Sequence, residues 1–294
     1  MIAAPPRRLL LITGAGGKTG LALLRRLTAL RSTKLRVRAL ARSPGQASTL
    51  ELAGAQETAV ADLLDEAAVK AALGDVDVVY HICPNVHPQE ALIGEKLIGL
   101  CRAAGCRRFV LHSVLEPRIQ AMPHHWAKAR VEALLAESGL DFTVLQPAPY
   151  MQNILSQRRQ IAESGSFSVP YALSTRVSMV DLEDVARAAA KILIGNLHRA
   201  ATYELCAPGL LDQTEIAAAL SGVLGKEIRA AVLERSAWSE SARAAGVPPH
   251  QVDTLLAMFR YYERSGMVGS AEPLERLLGR RPTTFEGFAQ REFG

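Results

Sequence analysis

Leu9-Leu10-Leu11-Ile12-Thr13-Gly14-Ala15-Gly16-Gly17-Lys18-Thr19-Gly20 decides how the rest of this chain is read. Its first five residues run without apolar–polar alternation, as a parallel strand covered on both faces does. Gly14, Gly17 and Gly20 follow with G-x-x-G-x-x-G spacing, and Leu23, Leu24, Leu27 and Leu30 then line one side of a helix over 21–30. Such a turn needs glycine for the sharp strand-to-helix bend, for backbone close to a pyrophosphate, and for tight helix–strand packing. The helix start adds free amides and a positive dipole end, which makes Lys18 and Thr19 candidate phosphate binders beside the glycines. A bulky residue at Gly14 or Gly17 is expected to abolish cofactor binding and spare the fold. A purely structural glycine turn is the competing reading, but the position directly after the first strand favours a dinucleotide. Gly17-Lys18-Thr19 also ends like a P-loop, yet that motif needs a glycine where Ile12 stands.

Outward from this turn, apolar runs alternate with amphipathic ones. Strands are expected over 35–41, 58–61, 76–83, 109–112 and 142–145. Helices are expected over 46–53, 65–73, through Leu92, Leu97 and Leu100, and over 126–137, with Gly54, Gly74, Gly105 and Gly139 as stops. Six strands with intervening helices define an α/β protein with a doubly wound parallel Rossmann sheet. After Pro147 the rhythm changes. A Gln-, Ser- and Gly-rich stretch (152–168) precedes Val177-Ser178-Met179-Val180 and a helix over 181–194. Residues 201–294 read as one or two strands with several helices. The expected organisation is a dinucleotide-binding domain over 1–150 and a smaller C-terminal lobe over 151–294. That lobe closes over the cofactor, and its 181–194 helix packs back on the sheet.

The second strand ends Arg38-Ala39-Leu40-Ala41-Arg42-Ser43 without the carboxylate that commonly binds an NAD ribose. Arg42, with Ser43 beside it, suits a 2′-phosphate instead, which points to NADP(H). Asp62, in Ala61-Asp62-Leu63, is placed either to accept from the adenine amino group or to cap the next helix.

Composition narrows the remaining classes. The 294 residues are 49% hydrophobic and 21% charged, ordinary for a globular protein. No apolar run approaches a membrane span, and the opening apolar stretch is too short for a secretory signal, so a cytoplasmic protein is expected. The net charge of +5 rests on 27 arginines and 7 lysines, scattered and without interleaved aromatics. This argues against nucleic acid. Cys83, Cys101, Cys106 and Cys206 show no CxxC spacing and the histidines no zinc spacing, so reduced thiols and no metal are expected.

Several blocks resemble the NmrA-like branch of the atypical short-chain dehydrogenases/reductases. They are the glycine turn, Val37–Arg42, Ala61-Asp62-Leu63, Lys128 within His124-His125-Trp126-Ala127-Lys128, Ser138–Pro147 with Tyr150–Asn153, and Val180–Ala186. The likeness covers roughly 8–195. It implies that Pro84 and Asn85 lie along the cofactor and that Pro147–Asn153 line its nicotinamide side, with Tyr150, Met151 and Asn153 toward the substrate.

Typical short-chain dehydrogenases use a Tyr-x-x-x-Lys pair, but none of the six tyrosines here has lysine four residues on. Lys128 remains, with His124 four residues before it. Ser113 stands where the larger family keeps a serine that holds the substrate oxygen. Lys128, His124 or solvent then supplies the proton; alternatively Lys128 only binds the nicotinamide ribose and His124 caps a helix. Two functions stay open: an NADPH-dependent reductase of a small hydrophobic acceptor (quinone, enone or dye), and a non-catalytic NADP(H) sensor acting through a protein partner. Either reading allows a homodimer.

Overall fold

The computed structural model describes residues 7–195 and 197–294. The first half alternates strand and helix: β1 (Arg8–Ile12), α1 (Lys18–Leu30), β2 (Leu35–Ala41), α2 (Pro44–Leu52), β3 (Glu57–Val60) and α3 (Glu66–Ala72). It continues with β4 (Val78–His81), α4 (Glu90–Ala103), β5 (Arg108–His112), α5 (Pro123–Ala136) and β6 (Asp141–Pro147). A 3-10 turn over Met151–Gln157 leads to α6 (Arg158–Ser164), β7 (Ser166–Val169), β8 (Val177–Ser178), α7 (Leu182–Ile194), β9 (Ala201–Leu205) and β10 (Leu210–Leu211). The chain ends through α8 (Gln213–Leu224), β11 (Arg229–Val232), α9 (Arg235–Ala244), α10 (Pro249–Ser265), α11 (Glu272–Leu278) and α12 (Phe285–Phe293).

The chain divides into two compact units, 1–113 with 127–146 and 186–203, and 114–126 with 147–185 and 204–294. In the first, the strand order is β3-β2-β1-β4-β5-β6, with β9 beside β6. The registers of β1 with β2 and β4, of β2 with β3, and of β5 with β4 and β6 are all parallel. This is the doubly wound order, with its crossover beside β1. Leu9, Leu11, Val79, Phe109 and Leu111 project into one core that α3, α4 and α5 cover through Val69, Leu97, Ile98, Val131 and Leu135. The unalternating strands are therefore buried as a parallel sheet requires.

The second unit has its own core of Ile161, Phe167, Ile216, Leu220, Phe285 and Phe288. Parallel β7 and β11 and antiparallel β8 and β10 form two small sheets there. The Gln- and Ser-rich stretch forms most of the 3-10 turn, α6 and part of β7. Within it Ile161 and Phe167 are buried in that core, and the polar side chains lie between them. The Val180–Ala186 block has a structural explanation in this unit. Asp181, fully buried, accepts from Arg291 at 2.7 and 3.2 Å and from Gln152 at 2.7 Å. Asp184 accepts from Arg280 and from the Thr283 amide. Burial pushes the Asp181 carboxyl upward, but the bonds from Arg291, Gln152 and the Glu183 amide outweigh it and leave the group below its ordinary range. No described helix is long and apolar enough to cross a membrane.

Candidate functional site

The candidate site lies at the C-terminal ends of β1, β4, β5 and β6 in the first unit, where open parallel sheets bind ligands. The three glycines of the turn have three different duties. Gly14 has φ +61°, and a Cβ there would lie 2.5 Å from the Ile82 carbonyl oxygen. A Cβ on Gly20 would lie 2.5 Å from Ala15 Cα, so this glycine permits α1 to pack on the turn. Gly17 differs. It precedes α1 with φ −81° and ψ 169°, and a Cβ there would meet only the Gly14 oxygen, at 3.4 Å. The fold would accept a side chain at 17, so the cradle left open at the start of α1 suits a ligand that needs the bare backbone.

This separates two positions that the sequence treats alike. Gly17→Val is expected to leave the melting temperature near the native value and weaken NADPH binding at least about tenfold, roughly 1.4 kcal/mol. Gly14→Val is expected to damage the fold, because it combines a left-handed backbone with a clash. Thermal melts alongside fluorescence titration check both; native affinity in a folded Gly17→Val protein would move the phosphate site elsewhere.

Arg42 follows β2 directly. It is exposed, and its guanidinium has no ion-pair partner among the described residues. Its amide donates to Gln46 Oε1 at 2.8 Å, and Ser43 caps α2 by accepting from the Gln46 amide. Asp62 is exposed and accepts from the Leu64 amide at 2.8 Å, whereas the residue that caps α3 is Asp65. The capping alternative for Asp62 is thereby corrected. Leu63 packs against the sheet core. Pro84 and the exposed Asn85 lie just beyond β4, in the loop before α4. In the second unit, Tyr150 is half-buried with its backbone bridged to Val180, Asn153 is exposed, and Pro147 is buried. Met151, 2% exposed, lies in the second unit's core, which corrects its expected substrate-facing placement. The turns of α5 carrying His124 and Lys128 fall in different units. His124 stacks edge-on against His125 at 4.5 Å, and His125 Nδ1 lies 3.1 Å from the Glu116 carbonyl oxygen.

Residues the sequence reading did not single out surround Lys128. A Cβ on Gly94 would lie 2.6 Å from Val131 Cγ2, so α4 and α5 approach closely there. One turn back on each helix, the Glu90 carboxylate forms an ion pair with the Lys128 ammonium, and both side chains are largely buried (4% and 11% exposed). A glycine in mid-helix was the legible sign of this approach. Ser113, buried at the end of β5, donates its proton to Glu132 Oε1. Gln146 of β6 donates to both Glu132 oxygens at 3.0 Å. Ser113 thus has its hydrogen committed to a carboxylate, leaving only lone pairs for a substrate oxygen.

Two histidines end buried strands. Thr13 Oγ1 lies 2.8 Å from His81 Nδ1 and takes a bond from the Ile82 amide. Tyr80 Oη lies 2.8 Å from His112 Nδ1. Burial, reinforced by the Lys128 charge, holds both imidazoles down at about 3, so both are neutral at pH 7. Burial also pushes the Cys83 thiol up to about 12, helped by Glu90 and opposed by Lys128. His81 Nε2 and Glu90 Oε2 are among the buried atoms that have no hydrogen-bond partner in the described residues. Polar groups closing otherwise apolar strands were legible; the partners across the sheet edge were not.

With fold and site in place, the class is defined: the chain belongs to the NmrA-like family, whose model matches residues 6–289. The NAD(P)H azoreductase of Xenophilus azovorans is 28% identical over 284 residues, 96% of this chain and 97% of that protein. Quinone oxidoreductase 2 of Escherichia coli is 26% identical over 93% of this chain and 94% of that protein. A solved E. coli NADPH-dependent quinone oxidoreductase, complexed with NADPH, covers 97% of this chain and 100% of that one with TM-score 0.84 at 25% identity. NmrA, a negative transcriptional regulator solved with NADP, shares the fold at TM-score 0.78 and 16% identity, over 98% of this chain and 96% of that one.

Proposed function

We propose that the protein is an NADPH-dependent reductase that passes hydride to a small hydrophobic acceptor of the quinone, enone or azo-dye kind. The observation that carries this reading is the open backbone cradle at Gly17, at the start of α1 and one strand away from a solvent-exposed Arg42. The strands that would carry an extended dinucleotide lie in the order β2, β1, β4 and β5. Arg42 and Ser43 would hold its 2′-phosphate, and Asp62 and Leu63 its adenine. Gly17 and the first amides of α1 would hold its pyrophosphate, and Pro84, Asn85 and Lys128 its nicotinamide end.

Bound NADPH supplies the hydride. The chain's own residues position it and keep the sheet edge dry. The neutral imidazoles of His81 and His112 add no charge there. The pairing of Lys128 with Glu90 favours a binding role for this lysine over proton donation, and a quinone or azo acceptor can take its proton from solvent. The identity of the azoreductase and quinone oxidoreductase relatives supports the reductase over the sensor.

The test is a titration followed by an acceptor screen. NADPH is expected to bind at least about tenfold tighter than NADH, a gap of roughly 1.4 kcal/mol, and Arg42→Ala to erase most of it. NADPH oxidation is then followed with a benzoquinone, an enone and an azo dye. Equal affinity for both dinucleotides sinks the NADPH preference. Tight NADPH binding with no acceptor reduced gives the site to the sensor reading.

A further inference from the structure

Glu90 is not accounted for by the function above. A carboxylate 3% exposed, on a helix that covers the core, is costly to bury unless its oxygens are satisfied. One oxygen is: Oε1 holds the Lys128 ammonium. The other, Oε2, is buried and meets no donor among the described residues. The close approach of α4 and α5 at Gly94 holds the pair at one level. The pair's charges reach Cys83, just beyond β4, and that of Lys128 reaches His81 and His112 at the ends of β4 and β5. The orphaned oxygen therefore belongs to the same sheet edge as the glycine turn, on the side away from Arg42.

We propose that Glu90 and Lys128 act together as a clamp for a vicinal diol, with Lys128 donating to one hydroxyl oxygen and Glu90 Oε2 accepting the proton of the other. Resting on the NADPH reading, that diol is the ribose next to the nicotinamide, which is the sugar an extended dinucleotide brings to β4 and β5. A carboxylate is the acceptor this needs: it offers lone pairs and no proton, and a charge-assisted bond inside a dry site is stronger than a neutral one. Lys128 alone would bind an oxygen without regard to whether it carries a hydrogen. Glu90 adds that requirement, and so selects a hydroxyl-bearing sugar.

The experiment is calorimetric titration of the purified protein, without turnover, using two probes. NADP+ carries both riboses; adenosine 2′,5′-bisphosphate carries the Arg42 end only. Glu90→Gln, which places an amide donor where an acceptor is required, is expected to weaken NADP+ by about 10- to 100-fold. The same variant is expected to bind the bisphosphate within about twofold of native, which also shows that the fold survives. Unchanged NADP+ affinity overturns the proposal, as does an equal loss for both probes. A native protein that binds neither probe overturns the cofactor reading itself and this proposal with it. If Glu90→Gln is not recovered folded, Glu90→Asp, which withdraws the carboxylate by one methylene, is read against the same probes and by the same criteria.

Discussion

Lys128→Ala is expected to destabilise the protein by about 3–5 kcal/mol, because it leaves the Glu90 carboxylate buried without its counter-ion. Both members of this pair are mostly shielded from solvent, so the screening that makes surface ion pairs weak does not apply. Urea denaturation of the two proteins measures the loss. The substitution that separates a binding lysine from a proton-donating one is Lys128→Arg. Arginine keeps the charge and can hold Glu90, but it releases no proton near neutral pH. For a lysine that binds and pairs, Lys128→Arg is expected to recover most of the stability and to keep turnover at saturating NADPH within about tenfold of native. For a lysine that donates, stability returns while kcat stays down by about 10²–10⁴-fold. That second pattern would overturn the binding role. His124→Ala would then be informative, since loss of the acidic limb of the pH profile would move the donor to the histidine.

These residues also mark where sequence reasoning stops. The sheet was legible because Leu9–Ile12, Ala39–Ala41 and Phe109–Leu111 are buried and read as unbroken apolar runs. β9 was less so: at the sheet's edge it is only partly buried, and Ala201–Leu205 carries a mixed pattern. The glycine turn and Arg42 were legible because each does its work through local backbone or through its own charge. The duties of the individual glycines were not, since they depend on Ile82 and Ala15 lying against Gly14 and Gly20. Glu90 looked like any acidic residue in the first turn of a helix, a position favourable to it on dipole grounds alone. Its partner is 38 residues away and meets it only because two helices touch at Gly94. Asp62 shows the opposite case: a local cap was a sound reading by residue type, and Asp65 three residues later took the duty instead.

The two neutral histidines make the protein sensitive to acid well above the carboxylate range. His81 and His112 have pKa values near 6.5 in the unfolded chain and about 3 in the folded one. The unfolded state therefore binds the extra protons, and stability present above pH 6.5 is lost as the pH falls toward about 3. Each histidine contributes about 1.4 kcal/mol per pH unit below 6.5, so going from pH 7 to pH 5 is expected to cost about 4 kcal/mol for the pair. Against a total of about 5–15 kcal/mol for an ordinary domain, that is a large share. Asp181 works in a different window: its lowered pKa stabilises the fold above the ordinary carboxylate value and is lost only below it, in strong acid. Denaturation at pH 7, 6 and 5 should thus show a slope near two protons between pH 6 and 5. Replacing His112 with glutamine, which keeps an acceptor for Tyr80, should reduce that slope to about one. A native slope under half a proton would mean that the imidazoles are charged or hydrated in the folded protein, and that the sheet edge beside Lys128 is wet rather than dry. Burial is the larger cause of both shifts and the Lys128 charge the smaller, so Lys128→Ala is expected to leave the slope between pH 6 and 5 nearly unchanged.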